Sequence, residues 1–270
     1  MKLFIPATVF LAMWFFLVKG SRYEHSAIKI ALGENECTFS LKTTERAVAT
    51  LVALHPNERT CTEVFEKLPR FVHFNLLSVE QEQKRLLVYR SANTTLLFDP
   101  NRIFTDKGIR ETLQFHNLGN PLVYKQAIKS FADTLLSCMY ANQKSRQIVA
   151  VHNNSNDNFS IISYQNSNET QDLFIHVEED VDNFVVVTAR QDFAFFKQNN
   201  INTVLLADTL YTDDGSLSVY CLQNGIPYIN IEVEHGNEQK QLQLLNLTYD
   251  LLVRRAAVQP APKLPHASPE

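Results

Sequence analysis

His55 and Glu58 stand three residues apart at the end of the apolar run in "TLVALHPNERTCTE". An imidazole and a carboxylate at that spacing, on a turn that Pro56 helps to hold, can be aimed at one cation. Two other apolar runs end on comparable groups, "QIVAV" on His152 and "PYINI" on Glu232. Two imidazoles and a carboxylate suit one Zn²⁺ ion and leave a fourth position open, as a catalytic rather than a structural site does. Glu232, the other carboxylate, is then the candidate general base for a water at that position. A lone histidine at a strand end is more often structural, so the pattern gains its weight from convergence. Asn101 and Arg102 in "FDPNRIF" add to it, because an arginine fork directly after a strand can take a carboxylate bidentately. The plainer reading of that segment is a turn with an exposed arginine, since Asp-Pro-Asn is good turn chemistry.

These residues need elements that bring strand ends together. "ATLVAL" and "QIVAV" are continuous apolar runs, as expected of strands covered on both faces. "AIKIAL" and "CTFSLK" read as early strands, "CTEVFEKLPR" as a short helix, and "RLLVYR" with "TTLLF" as a hairpin. "NPLVYKQAIKSFADTLLSCMYAN" carries apolar residues at helical spacing. Strands at "DLFIHV" and "NFVVVT", a helix at "RQDFAFFKQNN", and strands at "NTVLLA", "SLSVYC" and "PYINIE" follow. "EQKQLQLLNLTYDLLVRRA" closes the sequence as an amphipathic helix. Helices interleaved with buried strands predict an α/β three-layer sandwich, with a mixed, largely parallel central sheet and helices on both faces. In such sheets the carboxyl ends of the strands line the functional crevice.

With these motifs in this order, the sequence resembles the zinc carboxypeptidases of carboxypeptidase A type, over roughly Val52 to Glu234. "HPNE" matches that family's zinc pair at His55 and Glu58, "VAVHNN" its third zinc ligand at His152, and "DPNRIF" its carboxylate-binding pair at Asn101 and Arg102. "LYTDDGSLSVYCLQNGIPYINIE" looks like the segment that carries a mobile tyrosine, here Tyr211, and the catalytic glutamate, here Glu232. Glu234 falls on the same strand face and is the other candidate base. The resemblance implies an oxyanion-binding arginine, placed at Arg85 with Arg90 as the alternative. It also implies one zinc ion and hydrolysis of an amide or peptide bond beside a carboxylate-bearing residue. The sequence is similar, too, to a compact group of bacterial exported proteins carrying "DPNRIFT" and "HNN". Two other functions fit the same features: an N-acyl amino acid deacylase of aspartoacylase or succinylglutamate desuccinylase type, and a metal-free peptide- or glycan-binding domain.

Composition sets the frame. With 270 residues, 45% hydrophobic and a net charge of −4, the chain suits one large core and offers no basic surface for nucleic acid. "LFIPATVFLAMWFFLV" followed by Lys19 reads as a signal peptide or short anchor, being shorter than the roughly 20 residues of a comfortable span. The expected organisation is therefore 1–22 as that segment, 26–256 as the catalytic domain and 257–270 as a Pro-rich disordered tail. The protein would be exported: periplasmic, secreted or membrane-anchored, touching the membrane only through its N-terminal segment. The expected partner is a peptide or small carboxylate-bearing amide, with cell-wall peptide a candidate. Cys37, Cys61, Cys138 and Cys221 suit an exported protein with up to two disulfides, and four cysteines allow three pairings; Cys138 to Cys221 with Cys37 to Cys61 is one reading, and four small buried thiols is the other.

Overall fold

The computed structural model describes residues 13–16, 22–92, 94–114, 116, 121–140, 147–155, 159–165, 167–207, 209 and 211–258. Twelve strands and six α-helices alternate along them. The strands are β1 (Met13–Phe16), β2 (Glu24–Leu32), β3 (Asn35–Thr43), β4 (Thr50–Ala53), β5 (Asn75–Glu80), β6 (Leu87–Ser91), β7 (Thr94–Phe98), β8 (Ile148–Asn154), β9 (Thr170–Phe174), β10 (Phe184–Val187), β11 (Thr203–Leu206) and β12 (Tyr228–Glu234). The helices are α1 (Thr60–Val64), α2 (Asp106–Gln114), α3 (Pro121–Tyr140), α4 (Arg190–Gln198), α5 (Leu217–Gln223) and α6 (Glu238–Val258).

Ten strands form one mixed sheet in the order β1-β2-β3-β5-β4-β8-β12-β10-β11-β9, and β6 with β7 form a separate hairpin. The centre, β5-β4-β8-β12, is parallel, and antiparallel strands flank it. Every residue of β4 is buried, and so are the first five of β8, which explains why their sequences show no alternation. On one face Ile148, Ala150 and Tyr228 pack with α3 (Ile128, Phe131, Leu135), α2 (Ile109) and α5 (Leu217). On the other, Val149, Val151 and Ile231 pack with α1 (Val64), α4 (Phe193, Phe196) and α6 (Leu244, Leu252). The expected three-layer sandwich is therefore present.

Three expectations need correction. "SLSVYC" is not a strand but the N-cap and body of α5. Buried Leu217, Val219 and Cys221 mimic a two-residue period, while Ser216 accepts a hydrogen bond from the Val219 N–H and starts a helix. Neither expected disulfide is present: all four cysteines are free and buried. Cys37 packs in the α3-side core and Cys61 in the α1-side core, so the sheet separates them. Finally, α6 runs to Val258, two residues into the expected tail. Residues 259–270 and most of the N-terminal apolar segment lie outside the described residues; Met13–Phe16 of that segment pair antiparallel with β2. Among the described residues no helix is long and apolar enough to cross a membrane.

Candidate metal centre

Three neighbouring parallel strands deliver the site. β4 ends at Ala53, and the Glu58 N–H then bonds the His55 carbonyl at 3.0 Å, closing a turn that brings both side chains to one side. His152 lies in β8 in direct register with Glu232 of β12, so these two side chains leave the sheet on the same face. Ligand atoms of His55, Glu58 and His152 all lie within 4.8 Å of one another, and all three residues are buried. Glu58 Oε1 is 2.8 Å from His55 Nδ1, and Glu58 Oε2 is 2.8 Å from His152 Nδ1. The two Nδ1 atoms are 3.2 Å apart.

This donor set calls for a cation. His55 Nε2 donates to Asp99 Oδ1 at 2.8 Å, so a neutral His55 ring presents a lone pair at Nδ1. That lone pair faces a carboxylate oxygen and a second imidazole nitrogen. Acceptors in contact repel, so either a proton or a metal ion must lie among them. Burial would keep His55 neutral, but Asp99 and Glu58 together outweigh it and raise its pKa. Burial likewise raises Glu58, and the two histidines overturn that and hold it well below the usual carboxylate range. Asp99 is lowered in the same way, against its burial, by His55 and then Arg85. His152 Nε2 is buried without a hydrogen-bond partner, which leaves Nδ1 as the ring's working atom. The set therefore fits a metal ion held by His55 Nδ1, Glu58 and His152 Nδ1.

A cleft of about 700 Å³ opens over Glu58 and His152. Glu232 lines it, only 6% exposed, with Oε1 accepting a 2.9 Å hydrogen bond from Asn230 Nδ2. Burial raises the Glu232 pKa, and His152 nearby partly offsets this. Glu234, two residues on, is not among the cleft's lining residues; its backbone N–H bonds Asn183 Oδ1. Arg85 lines the cleft and reaches Glu58 Oε1 at 2.5 Å and Asp99 Oδ2 at 3.3 Å. Arg90 sits on the hairpin, with its carbonyl bonded to the Glu34 N–H, and does not line the cleft. Asn101 and Arg102 do line it: Asn101 Oδ1 accepts from the Leu217 N–H at 2.9 Å, and the half-exposed Arg102 lies 3.6 Å from Asp214. Tyr211 is not a lining residue.

The sequence reading misses two residues of the site, Asp99 behind His55 and Tyr164 in the cleft wall. Asp99 belongs to the same "DPNR" turn, where its value as a partner for His55 is invisible without the fold. Tyr164 lines the cleft beside Glu232 and Arg102, its ring held between Phe159 and Phe184. Burial pushes its phenol up, so it keeps its proton.

No protein-family profile matches the chain, and no curated protein matches it. Among solved structures it is similar to succinylglutamate desuccinylase from Vibrio parahaemolyticus, with a TM-score of 0.43 and 14% identity, covering 98% of this chain and 71% of that one. A candidate metallopeptidase from Shewanella denitrificans gives a TM-score of 0.39 and 11% identity, over 86% of this chain and 84% of that one. Murein-tripeptide amidase from Escherichia coli O157 gives a TM-score of 0.35 and 10% identity, over 80% and 86%. Likenesses this distant carry no argument about chemistry, which rests on the residues themselves.

Proposed function

We propose that the chain is a zinc-dependent hydrolase that cleaves an amide bond beside a carboxylate-bearing residue. The observation that carries this reading is the placement of Glu232. It stands in register with the candidate ligand His152, on the same sheet face, buried and bonded only lightly on one oxygen. Zinc held by His55, Glu58 and His152 would polarise the scissile carbonyl and lower the pKa of a water from 15.7 toward about 7. Glu232 takes the proton of the attacking water and passes it to the leaving amine; its raised pKa suits both halves of that transfer. Arg85 is the cationic group nearest the centre and stabilises charge on the carbonyl oxygen. Arg102, set by Asn101 at the cleft wall, takes the carboxylate of the leaving residue. Tyr164 offers a protonated phenol to the same space, whereas Tyr211 lies outside the cleft lining and takes no part in this step.

The test is Glu232→Gln in the purified full chain. Metal analysis should still find one zinc per chain, because the ligands are untouched. Hydrolysis should fall about 10²–10⁴-fold, the range of a positioned acid–base group. Full turnover in that variant would remove Glu232 from the mechanism, and a wild-type protein that takes up no zinc would remove the reading as a whole.

A further inference from the structure

β4 and β5 run parallel and paired as far as Ala53 and Ser78. There β4 turns away toward His55, while β5 continues to Glu80 with β3 still beside it. Past Ser78, the other edge of β5 has no described strand against it. The two strands splay, and a second cavity of about 650 Å³ opens between them. Ala53, His55 and Pro56 form one wall, and Ser78 to Gln81 form the other. Ser40 and Lys42 of β3 extend it along the face that carries α1. Glu58 lines both this cavity and the cleft, so the two meet at the candidate metal centre from different faces of the sheet.

Resting on the amide-hydrolase reading, we propose that this second cavity holds the acyl side of the substrate, and that the acyl side is a peptide bound in extended form along the free edge of β5. The leaving side is assigned to the cleft, where Arg102 stands, so the acyl side must leave the centre by another path. The second cavity is such a path, and its wall is an unpaired strand edge. Backbone N–H and C=O groups on an open edge recognise another extended backbone, with side chains going alternately to either face. An acetyl group ends at the metal centre. Each further residue reaches about 3.3 Å deeper along the edge, past Ser78 and toward Gln81. Ser40, Ser78, Gln81 and Gln83 offer hydrogen-bonding partners to a peptide backbone, and Ala53, Pro56, Leu76 and Val79 offer apolar surface to its side chains.

The experiment uses amides that share one C-terminal residue and carry an acetyl group, a succinyl group, or one, two or three further residues. On the zinc-loaded full chain, kcat/KM should rise about tenfold or more from the acetyl compound to the longest peptide, as two added hydrogen bonds would give. Ser78→Trp and Ser40→Trp, which fill the cavity from different strands, should each erase that gain while zinc content stays at one per chain. Acetyl or succinyl amino acids cleaved as well as the longest peptide would overturn the proposal and leave the hydrolase standing. So would a gain that survives in both variants. If zinc is absent and no amide is cleaved, the hydrolase reading is the one that fails. Calorimetric affinity for the same compounds then decides the cavity alone: affinity that grows with length and is lost in both variants supports it, and affinity independent of length overturns it.

Discussion

At the scale of single residues, Asp99 governs how His55 can meet a metal. Its carboxylate holds the Nε2 proton at 2.8 Å, which fixes the tautomer and leaves Nδ1 for coordination. The same carboxylate makes the ring more basic and thus a better donor. Asp99→Asn keeps the size of the side chain and removes the charge, and its amide can offer an N–H to the ring instead. We expect zinc affinity to fall about 10–100-fold, measured by competition with a chromophoric chelator; unchanged affinity would show that Asp99 does not orient the ring. His55, His152 and Glu232 are legible in the sequence because each closes an apolar run, and Glu58 because it follows His55 by three residues on the same turn. Asp99 is not legible in that way. It sits in Asp-Pro-Asn-Arg, which does form a turn, with the Arg102 N–H bonded to the Asp99 carbonyl at 3.0 Å. A turn former that is also a partner to a distant histidine shows only its first role in the sequence. Tyr164 is hidden for a similar reason: it sits on a short helical turn (Ile161–Tyr164), and Phe184, which holds its ring, comes from β10.

At the scale of elements, the wall that carries Arg102 depends on two glycines. Gly215 has φ of +77°, and a Cβ there would lie 2.4 Å from the Arg102 carbonyl oxygen and 2.5 Å from Gly108 Cα. The Phe104 N–H bonds the Gly215 carbonyl at 2.9 Å, and Thr105 Oγ1 donates to Asp213 Oδ1 at 2.7 Å. The start of α2, the segment before α5 and the Asn101–Arg102 turn are thereby locked together. Gly215→Ala combines a left-handed penalty of about 1–2 kcal/mol with overpacking of about 1–3 kcal/mol, so a loss of about 2–5 kcal/mol is expected by urea denaturation. A loss below about 1 kcal/mol would mean that the contact relaxes freely. The elements themselves were unevenly legible. Fully buried β4, β8 and β10 announce themselves as apolar runs. β5 carries no clean alternation; α2 is amphipathic at helical period over only nine residues and is left without an element by the sequence reading; and "SLSVYC" reads as a strand although it is α5. Its helix follows from Ser216 at the N-cap and from the Leu217 N–H bonded to Asn101, a partner 116 positions away. Local period decided the reading, and a tertiary hydrogen bond decided the structure.

At the scale of the whole molecule, the sheet separates two large cores, with a smaller cluster around Phe184 and Val204 beside them, and this division decides the fate of the cysteines. Cys37, Cys138 and Cys221 belong to the core under α3, and Cys61 to the core under α1 and α6. Exported context alone suggested bridges, but a disulfide needs Cα atoms within about 7 Å and matching Cβ directions, which Cys37 and Cys61 on opposite sheet faces do not offer. Each thiol behaves as a small apolar side chain, and burial pushes Cys37 and Cys61 to about 12 and Cys138 to about 11, with Cys221 raised as well. Thiolate, the reactive form, is therefore scarce at pH 8 and shielded where it forms. Native protein should give no colour with a thiol-reactive disulfide reagent at that pH. Protein unfolded in denaturant without reductant should release all four thiols. Two or fewer thiols in the unfolded, unreduced sample would show a bridge and would require two of Cys37, Cys138 and Cys221, which share one core, to approach within bonding distance. A reagent that labels the native protein at once would instead place a thiol at the surface, against the burial of all four. With four thiols free, the stability of this fold rests on its apolar cores and on the strand pairings of the ten-stranded sheet, so reductant should leave its unfolding midpoint unchanged.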